Sequence, residues 1–179
     1  FIGQTLRIPV LLAPIGSLQV FDSKGGFAVG KTVIMDELRN GKDFNSLELK
    51  NSHFTDSHTT RYILRGLNTS TLDLDGLGTK ISIENNTLNF VTGTIIAANE
   101  AGTIYATKFE TAVMCDGSGN VNIMSSFQTV IKDDIPVGET WSIIPTGGTN
   151  VFSYNSTRAG TTSTNKWVAS TEVISIEWA

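Results

Sequence analysis

From about residue 60 onward, apolar and polar residues alternate one by one in short runs broken by Gly, Asn, Asp and Pro. Leu72-Asp73-Leu74-Asp75, Ile81-Ser82-Ile83-Glu84 and Val121-Asn122-Ile123 each put apolar side chains on one side and polar ones on the other, which is the period of a half-buried strand. Residues 103–115, 127–132, 151–154, 166–169 and 172–178 follow the same rule. Asp75-Gly76, Asn85-Asn86, Asp116-Gly117-Ser118-Gly119 and Gly147-Gly148 read as the turns between them. No helical stripe of about a dozen residues interrupts the pattern. The spacing predicts an all-β fold, an antiparallel β-sandwich of jelly-roll-like type over residues 61–179.

Composition agrees. The 179 residues include 23 Thr, 16 Ser, 13 Asn and 17 Gly, and only 17% are charged, which excludes a coiled coil or helical bundle. Thr suits the solvent face of a strand, and Asn and Ser suit turns. Outer faces built from Thr and Ser in place of Lys and Glu can pack against a neighbour without burying unpaired charge. Hydrophobic content of 40% excludes a wholly disordered chain. A chain of this length builds a core without disulfides, and the single cysteine, Cys115, cannot form an intrachain bridge.

The net charge of -4 lies in the second half. Residues 91–179 carry four basic against eight acidic groups, which disfavours nucleic acid as a partner. No apolar run is long enough for a helical membrane span. The chain begins at Phe1, which leads to the expectation of a processed chain or a fragment.

Residues 1–60 differ. Residues 5–20 are apolar, with Pro9 and Pro14, as in an extended edge or connecting segment. Residues 31–40 are predicted as the one short helix, with Val33, Ile34 and Leu38 on one side and Asn40-Gly41 as a stop. Residues 51–60 read as a polar loop.

The sharpest motif is Gly25-Gly26-Phe27-Ala28-Val29-Gly30-Lys31-Thr32, which fits G-x-x-x-x-G-K-[ST]. At that spacing loop amides cradle phosphates, Lys31 reaches the outer phosphates and Thr32 holds Mg²⁺, so Gly25, Gly30, Lys31 and Thr32 are the candidate nucleotide-binding residues. Residues 25–38 resemble the nucleotide-binding loop of rotary ATP synthase catalytic subunits, departing from it at the bulky Phe27. The rest of that architecture is missing from the sequence, since only alternating strands follow where buried parallel strands are needed. Residues 7–16 resemble an early barrel segment of flavin-dependent hydroxy-acid oxidases, but 179 residues cannot build a (β/α)₈ barrel of about 250.

Other constellations have plainer readings. Asp116, Ser118 and Asn120 occupy positions 1, 3 and 5 of a calcium loop, but position 12 is Phe127, so a hairpin turn is expected. His53, Asp56 and His58 lack the spacing of a metal site and read as surface groups. Neither a metal nor a cofactor is expected. Trp141, Tyr154 and Trp167 are the candidate carbohydrate or receptor contacts, with core packing as the competing role for aromatics in alternating strands.

The strand-and-turn texture with its Thr/Ser/Asn/Gly surface resembles virion structural β-proteins such as phage tail fibres, spikes and capsid decorations. The resemblance implies a non-enzymatic subunit in a virion or on an extracellular surface, joined to copies of itself and to other assembly proteins. A trimer is among the symmetric closures open to it, with loop tips contacting a host glycan or receptor. Two alternatives remain: a cell-surface filament subunit assembled by strand donation from residues 5–20, and a P-loop nucleotide-binding protein using Lys31 and Thr32.

Overall fold

The computed structural model describes residues 27–29, 32–35, 41 and 44–178. The chain divides into two units, Phe1–Phe44 and Asn45–Ala179. In the first, β1 (Phe27–Val29) pairs antiparallel with β2 (Thr32–Met35), Val29 opposite Thr32. The helix expected over residues 31–40 is therefore a strand where it is described. Thr32, Val33 and Ile34 are consecutive β-branched residues, which lose rotamer freedom in a helix and fit an extended chain. The second unit begins at Asn45, upstream of the expected boundary at residue 61, because β3 (Ser46–Lys50) and all of β4 (Ser57–Leu67) pair into its main sheet.

That main sheet has six strands in the order β3-β4-β12-β7-β8-β9, every neighbouring pair antiparallel. β7 (Thr87–Asn99), β8 (Ile104–Cys115) and β9 (Val121–Asp133) form a meander, and β12 (Asn165–Glu177) lies between β4 and β7. The smaller sheet pairs β10 (Thr140–Gly148) with β11 (Val151–Ala159). The short β5 (Ser70–Thr71) and β6 (Ile81–Ser82) lie along the other side of β11. Together they make the expected antiparallel sandwich.

Period-two alternation sorts each long strand into two faces. Along β12, Trp167, Ala169, Thr171 and Val173 point inward, opposite Ala97, Ile95, Gly93 and Val91 of β7. The smaller sheet lays Trp141, Ile143, Phe152 and Tyr154 over them. Trp167 meets Tyr105 and Trp141 edge to face, with centroids 6.3 Å apart in both pairs, and its indole N–H donates to the Asn68 carbonyl at 2.9 Å. Each such side chain removed from water contributes roughly 1.5–3 kcal/mol. Gly93 makes room for Tyr154: a Cβ there would overlap the phenol oxygen and stand 2.8 Å from Cζ.

One expectation about composition is partly inverted. Thr60, Thr87, Thr107, Thr111, Thr171 and Ser175 are buried on the inner face of the main sheet. The Thr107 hydroxyl donates to the Thr129 carbonyl, and those of Thr111 and Ser126 lie 3.1 Å apart. These interior hydroxyls are thus satisfied across the sheet by main chain and by one another, whereas that of Thr171 finds no partner among the described residues.

The turns gather at one end. Asp116 accepts from the Ser118 and Asn120 amides and from the Asn120 side chain, at 2.8–2.9 Å, closing the β8–β9 hairpin as expected. Gly147 and Gly148 finish strand β10, and the hairpin turns at Thr149-Asn150, where Asn150 takes a positive φ of 54°. The Asn150 amide bonds the Gly119 carbonyl and its side chain bonds the Ile83 carbonyl, tying three loops together.

Candidate functional site

The outer face of the main sheet carries the feature that the core cannot explain. Its strand register aligns Ile174, Phe90 and Ala112 of β12, β7 and β8, with Leu49 of β3 in the same row beyond Thr59 of β4, and beside them Ile176, Leu88 and Met114. Ile174 is 48% and Phe90 45% exposed. With Met124 they frame a shallow groove of about 330 Å³ whose lining is aliphatic and aromatic. Alternation placed these side chains outward because their neighbours Val173, Val91 and Val113 occupy the core.

A polar band crosses the same face beyond Phe90. Arg61 and Glu172 pair at 2.6 Å and Lys108 and Glu110 at 2.7 Å, with Thr92, Thr94 and Ser170 among them. These ion pairs are partly exposed, so each contributes well under about 1 kcal/mol to stability. They leave the band close to neutral.

Two polar recesses lie elsewhere in this unit. On the smaller sheet, Thr71, Lys80, Thr146, Ser153 and Asn155 surround about 180 Å³, with the Thr71 hydroxyl donating to the Asn155 side-chain oxygen Oδ1 at 2.7 Å. Glu48, His58, Tyr62, Glu84 and Asn89 line another of about 130 Å³. Burial raises the Tyr62 phenol above its ordinary value, with Glu48 and Glu84 pushing the same way, so the phenol stays protonated there.

The candidate residues from the sequence fall as follows. Gly25, Gly30 and Lys31 lie outside the described residues, as does the segment 5–20 of the strand-donation reading. Thr32 opens strand β2. A P-loop needs a helix start at that position, so the strand removes the support for phosphate binding. Trp141, Tyr154 and Trp167 are 4%, 0% and 0% exposed, with their rings packed on one another and on Tyr105, Phe109 and Phe152. Their assignment as carbohydrate contacts is corrected: the faces a sugar would stack on are covered. Among the described residues, no group of three or more His, Cys, Asp or Glu is placed to hold a metal ion, and His53 and Asp56 are exposed. Cys115 is buried, and that burial pushes its thiol up, away from the reactive thiolate.

Sequence reading missed the outer apolar face. The signal was present in Glu172-Val173-Ile174-Ser175-Ile176, where both faces of one strand carry branched aliphatics.

No family model matches this chain, and no curated protein matches it. Among solved structures it is similar to a tailspike protein, gp49, from Acinetobacter baumannii bacteriophage Fri1, described as a capsular polysaccharide depolymerase. The identity is 16% and the TM-score 0.46, over 82% of this chain and 23% of that one. This chain therefore spans under a quarter of that protein's length. The expectation of a non-enzymatic chain is corrected by this description, which is that of an enzyme.

Proposed function

We propose that this chain is a β-structural subunit of a virion, of the fibre, spike or decoration kind, and that it assembles with copies of itself through the outer face of its six-stranded sheet. The observation that carries the reading is the aligned row Ile174, Phe90 and Ala112 with Ile176 and Leu88 beside it, an apolar surface on a strand face that has buried residues behind it. Contiguous exposed apolar area of this kind marks an association surface, whereas scattered apolar residues do not. The flanking band of internally paired charges supplies a polar rim. A tailspike protein among similar structures fits the virion setting, and host-surface contact through the loops would complete such a role.

Size-exclusion chromatography with light scattering tests the assembly. The wild-type chain is expected to run as an oligomer at micromolar concentration, and Ile174→Glu to shift it toward the monomer with an unchanged circular dichroism spectrum. A wild-type chain that stays monomeric refutes the assembly reading.

A further inference from the structure

The strand edges of the second unit are unequally protected. β3 is five residues long and carries Glu48 and Lys50. β10 contains Pro145, and β5 and β6 are two residues each. Short length, charge and proline are the devices that keep an edge from pairing with another chain. β9 carries charge only at its far end, in Lys132 and Asp133. It runs for 13 residues, and from Val121 to Ile131 it carries no charge and no proline.

Two register shifts against β8 mark where the strand bulges, leaving Met124 and Ile131 as the extra residues. Between them Ser125 to Val130 pair regularly with β8, six residues without interruption. The β8 side of this stretch is hydrogen-bonded, and among the described residues no strand pairs with its other edge. Both sides of it are exposed as well: Phe127, on the outer side, is 65% exposed, and Val130, on the inner side, is 50%. Towards its start β9 is held instead, with the Val121 carbonyl close against Gly147 of β10. The free part is therefore a neutral ribbon with exposed side chains on both faces, whose main-chain groups along one side meet no strand among the described residues.

We propose that the β9 edge pairs antiparallel with β9 of a second copy about a twofold axis, joining two six-stranded sheets into one continuous sheet. A second copy is the occupant because the ribbon is neutral and presents itself to its twin in reverse. An antiparallel pair of identical strands about a perpendicular twofold is self-complementary and keeps each outer face on the same side. Centred on Phe127, the pairing sets Phe127 beside its twin and Ser125 opposite Thr129 on the outer side, and Ser126 opposite Gln128 on the inner side, so no charge meets charge. The two Phe127 rings would then meet at the junction, in the row that Glu110, Thr92, Glu172 and Arg61 continue on each side. This deepens the assembly reading given above and fails separately from it, since it uses main-chain groups that face packing leaves free.

Hydrogen exchange and cross-linking on the full chain test it. As concentration rises and the oligomer forms, amide exchange within residues 125–130 is expected to slow by about tenfold or more, as for amides newly held in a ladder. In a Cys115→Ala background, Phe127→Cys is expected to oxidise to a disulfide-linked dimer, and Thr157→Cys on the smaller sheet is not. Phe127→Lys, which places like charges opposite each other, is expected to remove the concentration-dependent protection while leaving the circular dichroism unchanged. If the wild-type chain oligomerises and Ile174→Glu prevents it, yet residues 125–130 exchange at one rate at every concentration, the edge pairing is overturned and face association stands. If deleting residues 1–20 abolishes the protection, the strand on β9 is a donated N-terminal segment and the twofold pairing is equally overturned. Protection that persists in Ile174→Glu supports the edge even where the face fails.

Discussion

The two faces of the six-stranded sheet are built from the same alternating strands, yet only the inner face changes its polarity along the strand direction. At the Trp167 end the inner face is aromatic and aliphatic, with Ala97, Tyr105, Ala169 and Ile95 in adjoining rows beneath Trp141 and Tyr154. At the Ile176 end the inner face carries Ser175, Asn89 and Thr87, and the large aliphatics Ile174, Ile176 and Leu88 are on the outside. An alternating strand specifies that two faces exist and leaves open which one is covered. That is decided by the aromatic-rich smaller sheet. The outer face keeps exposed aliphatics at both ends, Leu67 and Ile96 at one and Ile174 and Leu88 at the other, each with buried neighbours behind it, which is the condition for a surface that another subunit covers.

The largest expected effect breaks the comparison if the two faces are energetically alike. Trp167→Ala removes a fully buried indole, its two edge-to-face partners and its bond to Asn68, and is expected to cost about 3–5 kcal/mol. Phe90→Ser on the outer face is expected to stay within about 0.5 kcal/mol, measured by urea denaturation at a dilution where the chain is monomeric. Equal losses in the two variants would mean that Phe90 belongs to a covered core, and the contrast between the faces would be gone.

How much of this was legible follows from what alternation encodes. The sandwich class, β6 around Ile81, β8 nearly to the residue, and the Asp116–Asn120 turn were readable, because local period and turn chemistry decide them. Strand lengths were not. Residues 166–169 and 172–178 read as two strands, but Ser170 and Thr171 carry β12 straight through, since a hydroxyl facing Gly93 is tolerated where a larger polar group would not fit. The run Leu72-Asp73-Leu74-Asp75 read as a strand and instead leaves the sheet. The carboxylates of Asp73 and Asp75 draw the amides of Gly76, Gly78, Leu77 and Thr79 into a loop, so that Leu72 is fully buried and Leu74 packs against the core only in part. The aromatic candidates were misplaced for a related reason: burial of Trp141, Tyr154 and Trp167 depends on which face the second sheet covers, a tertiary fact that no single strand records.

Gly93 sharpens the picture of the covered end. Its missing side chain is the space that the Tyr154 ring fills, so Gly93→Val forces phenol and main chain apart and is expected to cost about 3 kcal/mol, read as a lower melting temperature. Neither the Tyr154 hydroxyl nor that of Thr171 has a hydrogen-bond partner among the described residues. Tyr154→Phe should therefore be close to neutral alone, since it deletes an unsatisfied buried polar atom. Combined with Gly93→Ala it should recover part of that variant's loss, because the overlapping oxygen is gone. Strict additivity in this double-mutant cycle would show that the two positions do not compete for one space.

The smallest effect isolates Tyr154 by its proton. Burial pushes its phenol up to about 12, against an ordinary value of 10.0. Between those limits the unfolded chain releases a proton that the folded chain retains, so stability is at its full value below pH 10 and falls as pH rises toward about 12. Two pH units at about 1.4 kcal/mol each bound the loss near 2–3 kcal/mol, and only part of it accrues by pH 11. Tyr62 and Tyr105 are also raised by burial and leave a residual slope of the same sign. The informative quantity is therefore the difference between wild type and Tyr154→Phe in urea midpoints measured from pH 9 to 11. Wild type should lose the more stability across that range. Parallel curves would mean that the phenol reaches solvent, and the cover that the smaller sheet places over this end of the main sheet would then be looser than its packing implies.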